Sequence, residues 1–286
     1  MKKGVKMHQP RIDLGLSTDQ LCELSPEHQH ELGVQWDKIN SDLTSFVARE
    51  KRGNATYNEI LTENIGLRQF ASSQIKKVCS ETTSEDAYRR AALGKIALMV
   101  GYGQGWDSDT WWGSDWLKDV TRAGLQTWWL DVSPFACAMA SVKTAILWEN
   151  LKNSETFGVL PPVVKNGEVR SVLINPGTVG LTLFHVEVFY LCRTLFALSK
   201  ESVRICLQIM GSCLSEDSDF EKKKRVILIN PLKDDNPQRQ TKTSISLSRK
   251  MILSNLRRGA DRPLKVAYDY HWYFERRYTA MIIRAE

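Results

Sequence analysis

Apolar and polar positions follow two different patterns along this chain, and the pattern changes near residue 90. Before that point apolar residues recur every three or four positions, as in "ELSPEHQHELGVQWDKIN" and "TYNEILTENIGLRQFASSQIKKVC". This spacing lines one face of an α-helix, so it predicts amphipathic helices. We therefore predict a helical N-terminal segment over residues 1–90 and a second domain over residues 91–286.

The second domain carries short continuous apolar runs that alternate with amphipathic stretches. Such runs are typical of strands buried on both faces of a parallel sheet, with helices between them. The predicted strands are "KIALMVGYG", "QTWWLDVS", "GEVRSVLINPG", "HVEVFYLC", "KKRVILINPL", "PLKVAYDYHWYF" and "YTAMIIRAE". We expect the fourth of these to bend into a helix over "RTLFAL", and the last two to form an antiparallel hairpin. The prediction is an α/β fold with a mostly parallel sheet.

The charge distribution argues against a nucleic-acid partner. The chain of 286 residues has a formal net charge of +6, with 42% hydrophobic and 25% charged residues. A nucleic-acid surface concentrates basic residues in one stripe. Here they fall in short, separate groups, such as those at 222–225, 257–258 and 276–277. We predict no nucleic-acid partner and a protein that is a monomer or a homodimer.

Cysteine spacing and hydropathy give an expectation for the compartment. The six cysteines form no C-x-x-C pair and lie in apolar segments, which predicts buried free thiols and no zinc site. The N-terminus has no apolar signal-peptide core, and no apolar run reaches the roughly 18 residues of a membrane span. We therefore expect a cytoplasmic protein without a membrane partner.

A glycine run follows the first predicted strand. "GYGQG", from Gly101 to Gly105, comes where the chain would leave the carboxyl edge of a parallel sheet. Ligands bind at that edge, and glycine lets the backbone approach them closely. A dinucleotide fingerprint, G-x-G-x-x-G, would need a third glycine where this chain has Trp106. The run therefore disfavours a nicotinamide-dependent oxidoreductase, which we keep as an alternative.

Three segments together resemble one known family. The run Gly101-x-Gly103-x-Gly105, the block "LKDVTRAGLQTWWLDVSPFACAMA" with Asp131 at a strand end, and the terminal hairpin resemble class I S-adenosylmethionine-dependent methyltransferases of the small-molecule type. The resemblance covers the chain from about Lys95 to its end. It implies a Rossmann-like, seven-stranded, mostly parallel sheet with an antiparallel C-terminal hairpin. It also implies S-adenosyl-L-methionine as cofactor and a helical N-terminal cover over the site.

The resemblance also implies a set of cofactor contacts. The glycine loop would wrap the methionine part of the cofactor, and Asp131 would accept hydrogen bonds from both ribose hydroxyls. The predicted cofactor residues are Gly101, Tyr102, Gly103, Gly105, Asp131, Val132, Asn175, Pro176, Tyr190 and Tyr57. One position departs from the family, because Met99 stands where an acidic residue usually binds the amino group of the cofactor. A non-catalytic methyltransferase-like binding protein is therefore a second alternative.

The tryptophan-rich stretch after the glycines is the predicted substrate wall. Trp106, Trp111 and Trp112 could stack on a flat aromatic ring, and ring faces also attract a cationic sulfonium. Arg193 and Tyr270 complete the predicted substrate residues, and His271 is the candidate general base, with a packed histidine as the alternative. The sequence and the resemblance together thus predict N- or O-methylation of a small aromatic or heteroaromatic molecule. They also predict that this reaction belongs to secondary-metabolite biosynthesis.

Overall fold

The structure of the protein is a computed structural model. It describes residues 23–41, 82–101, 112–152, 156–192, 194–195, 198–215, 225–231, 249–260, 263–273 and 277–285. Within these ranges the α-helices are α1 (Pro26–Ser41), α2 (Ser84–Ala92), α3 (Trp112–Arg122), α4 (Pro134–Leu151), α5 (Val169–Ile174), α6 (Lys200–Ser215) and α7 (Arg249–Gly259). The strands are β1 (Ile96–Val100), β2 (Gln126–Asp131), β3 (Val163–Asn166), β4 (Val186–Cys192), β5 (Arg225–Pro231), β6 (Leu264–Tyr273) and β7 (Arg277–Ala285).

The strands form one sheet in the order β3-β2-β1-β4-β5-β7-β6. Neighbours from β3 to β5 pair in parallel, which confirms the predicted α/β class with a parallel sheet. β7 pairs antiparallel with β5 on one side and with β6 on the other. The chain order reverses between β1 and β4, so the switch point of the sheet lies there.

The central strands are buried on both faces because their side chains alternate between two helical layers. Leu98 and Trp128 belong to the large core cluster that includes α5, α6 and α7 residues. Met99 and Trp129 point to the opposite face and are also buried, at 1% and 5% exposure. The two neighbouring tryptophans therefore pack into different layers, as their alternation along a strand predicts.

The helices flanking β2 begin and end as their sequences indicate. Ser133 caps α4 by accepting a hydrogen bond from Ala136 N, and Pro134 occupies the first turn, where its missing N–H has no cost. Gly124 follows α3 at φ +77° and lies against the backbone of Ala87, so a side chain there would collide with it. These local signals place β2 between two well-defined helices.

The third strand is a correction. "GEVRSVLINPG" was predicted as strand, whereas its middle forms helix α5 and the strand β3 precedes it at "VVKN". Glu168 caps α5, because its carboxylate accepts from Arg170 N at 3.0 Å and Ser171 N at 2.8 Å. The buried apolar residues Val169, Val172 and Leu173 have the i, i+3, i+4 spacing of a helix face. Asn175 consequently follows a helix.

The fourth predicted strand is present as β4, which ends at Cys192. The helix expected over "RTLFAL" lies partly outside the described residues, and the next described α-helix begins at Lys200. That helix, α6, packs against α5 and α7 and carries the buried free thiols Cys206 and Cys213. Burial raises the pKa of the Cys206 thiol well above its ordinary value of 9.0, and the nearby Glu168 charge acts in the same direction.

A buried ion pair joins α2 to the start of β4. Arg90 Nε lies 3.1 Å from Glu187 Oε2, and the two side chains are 3% and 2% exposed. Arg90 Nη1 also donates to Thr82 Oγ1 at 2.8 Å and to the Ala123 carbonyl at 3.2 Å. The pair therefore connects α2, the turn after α3 and the sheet.

None of the helices in the described part of the chain has both the length and the apolar character that a membrane span requires.

Candidate functional site

Residues from four neighbouring strands meet at the carboxyl edge of the sheet. Val100, the last residue of β1, pairs with Leu130 of β2 and Leu191 of β4. Asp131 pairs with Asn166 at the ends of β2 and β3. Ligands of open α/β sheets bind beyond this edge at the switch point. The geometry there decides what the protein can hold.

Gly101 adopts a backbone conformation that favours glycine. Its φ is +65°, and its N–H donates to the Leu130 carbonyl at 2.8 Å. A Cβ at this position would lie 2.5 Å from Thr194 Cγ2 and 2.6 Å from Thr194 Oγ1. The buried Thr194 hydroxyl donates to the Val100 carbonyl at 2.6 Å, so it cannot move aside without losing that bond. Left-handed backbone and a close neighbour both require glycine here.

Asp131 presents a carboxylate beside this glycine. Its Oδ1 accepts from Ser133 N at 2.9 Å, which turns the chain from β2 into α4. The Asp131 side chain is 6% exposed. Hydrogen bonds to a charged carboxylate in such a buried setting are stronger than those in water. Gly101 and Asp131 therefore lie where the sequence predicted them, on adjacent strands of one edge.

Asn166 holds the loop after β2 from the end of β3. Its Nδ2 donates to the carbonyls of Asp131 at 3.1 Å and Val132 at 3.0 Å. The N–H of Gly167 donates to the Asp131 carbonyl at 2.9 Å. Sequence reasoning missed Asn166 because it placed the third strand too late. The available signal was the pair Pro161-Pro162, which is tolerated before a strand but not within a central one.

Comparison with solved structures identifies the fold. The magnesium protoporphyrin IX methyltransferase of Synechocystis PCC 6803, solved with S-adenosylmethionine, matches with a TM-score of 0.51 and 10% identity, covering 92% of this chain and 100% of that one. The same enzyme with S-adenosylhomocysteine matches with a TM-score of 0.53 and 11% identity, covering 90% and 100%. At this identity the likeness is one of fold, so the chain has the same fold as this methyltransferase. No protein-family model and no curated protein matches the sequence.

Two predicted cofactor contacts do not follow a strand. Asn175 follows helix α5, and Pro176 begins a short 3₁₀-helix, Pro176–Val179. The predicted third strand is a helix in this region, and the residue that ends the third strand is Asn166. The prediction that Asn175 lies at the end of a strand is therefore wrong.

Tyr190 and Met99 occupy the interior of the sheet. They pair across β4 and β1, and their exposures are 0% and 1%. Tyr190 comes two residues before the end of β4, so its ring packs in the core below the edge. Met99 also pairs with Trp129 on the other side. The position at which the resemblance implies an acidic residue is therefore an apolar core position in this chain.

The structure describes some of the remaining predicted site residues and leaves others outside the described ranges. Tyr57, Tyr102, Gly103, Gly105, Trp106, Trp111 and Arg193 lie outside the described residues. Trp112 is the first residue of α3. Tyr270 and His271 lie in β6, where they pair with Ala280 and Thr279. Since β6 is four strands from β1, and strands are spaced about 4.8 Å apart, His271 lies about 19 Å along the sheet from Gly101's strand.

Proposed function

We propose that this protein is an S-adenosylmethionine-dependent methyltransferase that acts on a small aromatic or heteroaromatic molecule. The observation that carries the proposal is the adjacency of Gly101 and Asp131 at the carboxyl edge of the sheet, next to its switch point. The Gly101 N–H bonds to Leu130, the residue before Asp131. A left-handed glycine and a carboxylate are thus fixed side by side at the edge where this fold binds ligands.

The residues at this edge fit an adenosyl cofactor. Gly101 lets the backbone after β1 pack directly against Thr194, whose hydroxyl donates to the Val100 carbonyl and holds the turn at this edge. The Asp131 carboxylate has two oxygens, which suit two neighbouring ribose hydroxyls because each oxygen can accept from one of them. Val132 follows Asp131 directly and lies half-buried at the same turn.

We assign the adenine side of the site to Asn166 in place of Asn175. The Nδ2 group of Asn166 is engaged by the Asp131 and Val132 carbonyls. Its amide also carries a carbonyl oxygen, which can accept from an exocyclic amino group. Asn166 is exposed and ends the strand next to Asp131, so base and ribose contacts would come from neighbouring strand ends.

The chemistry that follows needs few catalytic side chains. When bound, the cofactor would supply a methyl group activated by a sulfonium centre. The protein's own part is to hold the acceptor atom in line and to exclude water, which can contribute most of the rate in such displacements. His271 stays a candidate base only for a substrate that extends along the sheet edge towards β6. Methylation at nitrogen or oxygen and a role in secondary metabolism remain parts of this proposal.

The cover and the substrate wall are proposed from their positions. Residues 1–90 would form the cover, which includes α1 and most of α2, and α1 packs against α4. In the chain, Trp106 and Trp111 come between β1 and α3, and Trp112 is the first residue of α3. A ring stacked there would be near the methionine side of the site. Arg193 and Tyr270 complete the proposed substrate residues.

Two alternatives remain distinguishable from this proposal. A nicotinamide-dependent oxidoreductase would use the classical strand order 3-2-1-4-5-6, whereas β7 lies between β5 and β6 here. A non-catalytic binding relative is favoured by one observation, the apolar Met99 at the usual amino-group position. Binding measurements separate the three.

The test is calorimetric titration and thermal shift with S-adenosylmethionine, S-adenosylhomocysteine, NAD and NADP. We expect binding of the two adenosyl ligands and no response to either nicotinamide cofactor. Methyl transfer is then measured with labelled S-adenosylmethionine against a panel of aromatic amines and phenols. A response to nicotinamide cofactors alone would overturn the proposal, and adenosyl binding without turnover of any acceptor would favour the non-catalytic relative.

An isosteric variant tests the site itself. Asp131→Asn keeps an acceptor for Ser133 N but removes the charge and one acceptor oxygen. Loss of one charge-assisted hydrogen bond is worth about 1.5–3 kcal/mol, which corresponds to about 10- to 150-fold weaker binding of S-adenosylhomocysteine. The control is Glu149→Gln on the exposed end of α4, with unchanged affinity expected. Equal affinities of Asp131→Asn and wild type would disprove the ribose assignment.

A further inference from the structure

Ser133 connects two carboxylates that come from different parts of the chain. Its N–H donates to Asp131 Oδ1 at 2.9 Å, and its hydroxyl donates to Asp37 Oδ1 at 2.5 Å. The Ser133 hydroxyl also accepts from Ala136 N at 3.1 Å as the cap of α4. Ser133 is completely buried, so its contact with Asp131 is shielded from water, whereas its contact with the half-buried Asp37 is shielded in part. Asp131 and Asp37 are thereby joined through a single residue.

Asp37 attaches helix α1 to the N-terminus of α4. Besides the Ser133 hydroxyl, its Oδ1 accepts from Phe135 N at 3.0 Å. The first-turn N–H groups of a helix have no partner within the helix, and a negative charge there complements the helix dipole. Asp37 therefore supplies an acceptor for one such group and a charge of the favourable sign.

The backbone of α1 lies close to the turn that carries Asp131. A Cβ at Gly33 would lie 3.1 Å from the Val132 carbonyl oxygen and 3.6 Å from Pro134 Cδ. Near its start, α1 is also attached to α5, because Leu24 N donates to Ser171 Oγ at 3.2 Å. Helix α1 therefore packs beside Val132 and Ser133, the two residues that precede α4.

We propose that Asp37 is a positioning residue for Asp131. By holding the Ser133 hydroxyl, Asp37 fixes the turn whose N–H orients the Asp131 carboxylate towards the ribose of the adenosyl ligand. The inference deepens the proposed function and rests on it. It implies that docking of α1 and binding of the ligand strengthen each other by the same factor, because thermodynamic coupling between two sites is reciprocal.

The test compares variants that keep or remove the Asp37 acceptor. Asp37→Ala removes it, whereas Asp37→Asn retains an oxygen that can accept from both Ser133 and Phe135. We expect Asp37→Ala to weaken S-adenosylhomocysteine binding about 5- to 20-fold in calorimetry, within the usual range of site coupling. Asp37→Asn should restore affinity to near the wild-type value. Glu31→Ala, on the exposed side of α1, is the matched control and should bind as wild type does.

A double-mutant cycle separates positioning from simple destabilisation. Ser133→Ala keeps its N–H to Asp131 but breaks the connection to Asp37 and removes the cap of α4. If Asp37 acts through Ser133, the double variant Asp37→Ala/Ser133→Ala binds S-adenosylhomocysteine no more weakly than Ser133→Ala alone. The proposal would be overturned if the two substitutions lowered the affinity for S-adenosylhomocysteine by independent factors that multiply in the double variant. It would also be overturned if Asp37→Ala bound with the affinity of wild type.

Limited proteolysis supplies a readout that does not depend on enzyme activity. We expect Asp37→Ala to be cleaved within residues 26–41 faster than wild type, and S-adenosylhomocysteine to slow this cleavage in wild type more than in the variant. If the ligand protected both proteins equally, this result would contradict the coupling.

If wild type binds no adenosyl ligand, the proposed function fails and this inference fails with it. If wild type and Asp37→Ala bind equally, only the positioning role fails.

Discussion

The contact between Gly101 and Thr194 gives a quantitative prediction. In Gly101→Ala the new Cβ would lie 2.5 Å from Thr194 Cγ2, 2.6 Å from Oγ1 and 3.0 Å from Cβ. Distances this short cannot persist, so the Thr194 side chain has to move. Its hydroxyl would then lose the 2.6 Å bond to the Val100 carbonyl. The substitution therefore combines backbone strain with a forced displacement.

The magnitude follows from these two parts. A non-glycine residue at φ +65° costs about 1–2 kcal/mol, reduced by about 0.4–1 kcal/mol because alanine restricts the unfolded chain more than glycine does. Displacing Thr194 leaves a buried carbonyl without its donor, or overpacks the site, at about 1–3 kcal/mol. We expect Gly101→Ala to lower the free energy of unfolding by about 2–4 kcal/mol.

Urea unfolding of four variants tests this reasoning. Gly180→Ala is the matched control, because Gly180 has φ +75° and no atom near its hypothetical Cβ, so only the backbone cost of about 1 kcal/mol applies. Thr194→Ala removes the two nearest atoms, so the cost in Gly101→Ala/Thr194→Ala should be less than the sum of the two single costs by about 1–2 kcal/mol. Equal losses in the two glycine variants, or strict additivity with Thr194→Ala, would refute the argument.

Two further predictions concern buried groups away from the ligand edge. Arg90→Met should cost about 3–5 kcal/mol in the same unfolding assay, because the buried Glu187 carboxylate would lose the guanidinium charge that lies 3.1 Å away. The exposed Arg89→Met should change stability by less than about 0.5 kcal/mol. A loss for Arg90→Met as small as this would contradict the role of the pair. Because burial raises the folded-state pKa of Cys206 above 9.0, its thiol ionises first in the unfolded chain. Its contribution to stability is therefore complete below pH 9.0 and is lost as pH rises. Wild type should lose up to about 1.4 kcal/mol per pH unit relative to Cys206→Ala above that pH, and parallel curves would refute this.

Local sequence was sufficient where one element carries its own signals. β1 is a continuous apolar run and β2 has an apolar centre, because the middle of a strand that is covered on both faces packs against apolar side chains. α4 begins at the position that Ser133 and Pro134 indicate. Gly101 follows β1 directly and Asp131 ends β2, so the direction of the parallel strands brings both to one edge. These features made the fold and the centre of the proposed site predictable.

The segment after β3 shows where local signals become ambiguous. "GEVRSVLINPG" has the β-branched composition of a strand, and also the 169, 172, 173 spacing of a helix face. The outcome depends on the Glu168 carboxylate, which accepts from Ser171 N and from the Ser171 hydroxyl. It also depends on α6, which packs on the apolar side of α5. A short apolar run alone does not distinguish these alternatives.

The remaining site residues were decided by tertiary structure, because their partners are distant along the chain. Thr194 bonds to a residue 94 positions away, Asn166 to one 35 positions away, and Asp37 to one 98 positions away. Hydropathy periodicity reports the environment of a residue within its own element and carries no information on such pairs. The sequence by itself determined which strands form the ligand edge and which glycine and carboxylate follow them. Only the packing of separate elements determined the threonine, asparagine and aspartate that hold that edge, since each acts through a hydrogen bond that exists only after the chain has folded.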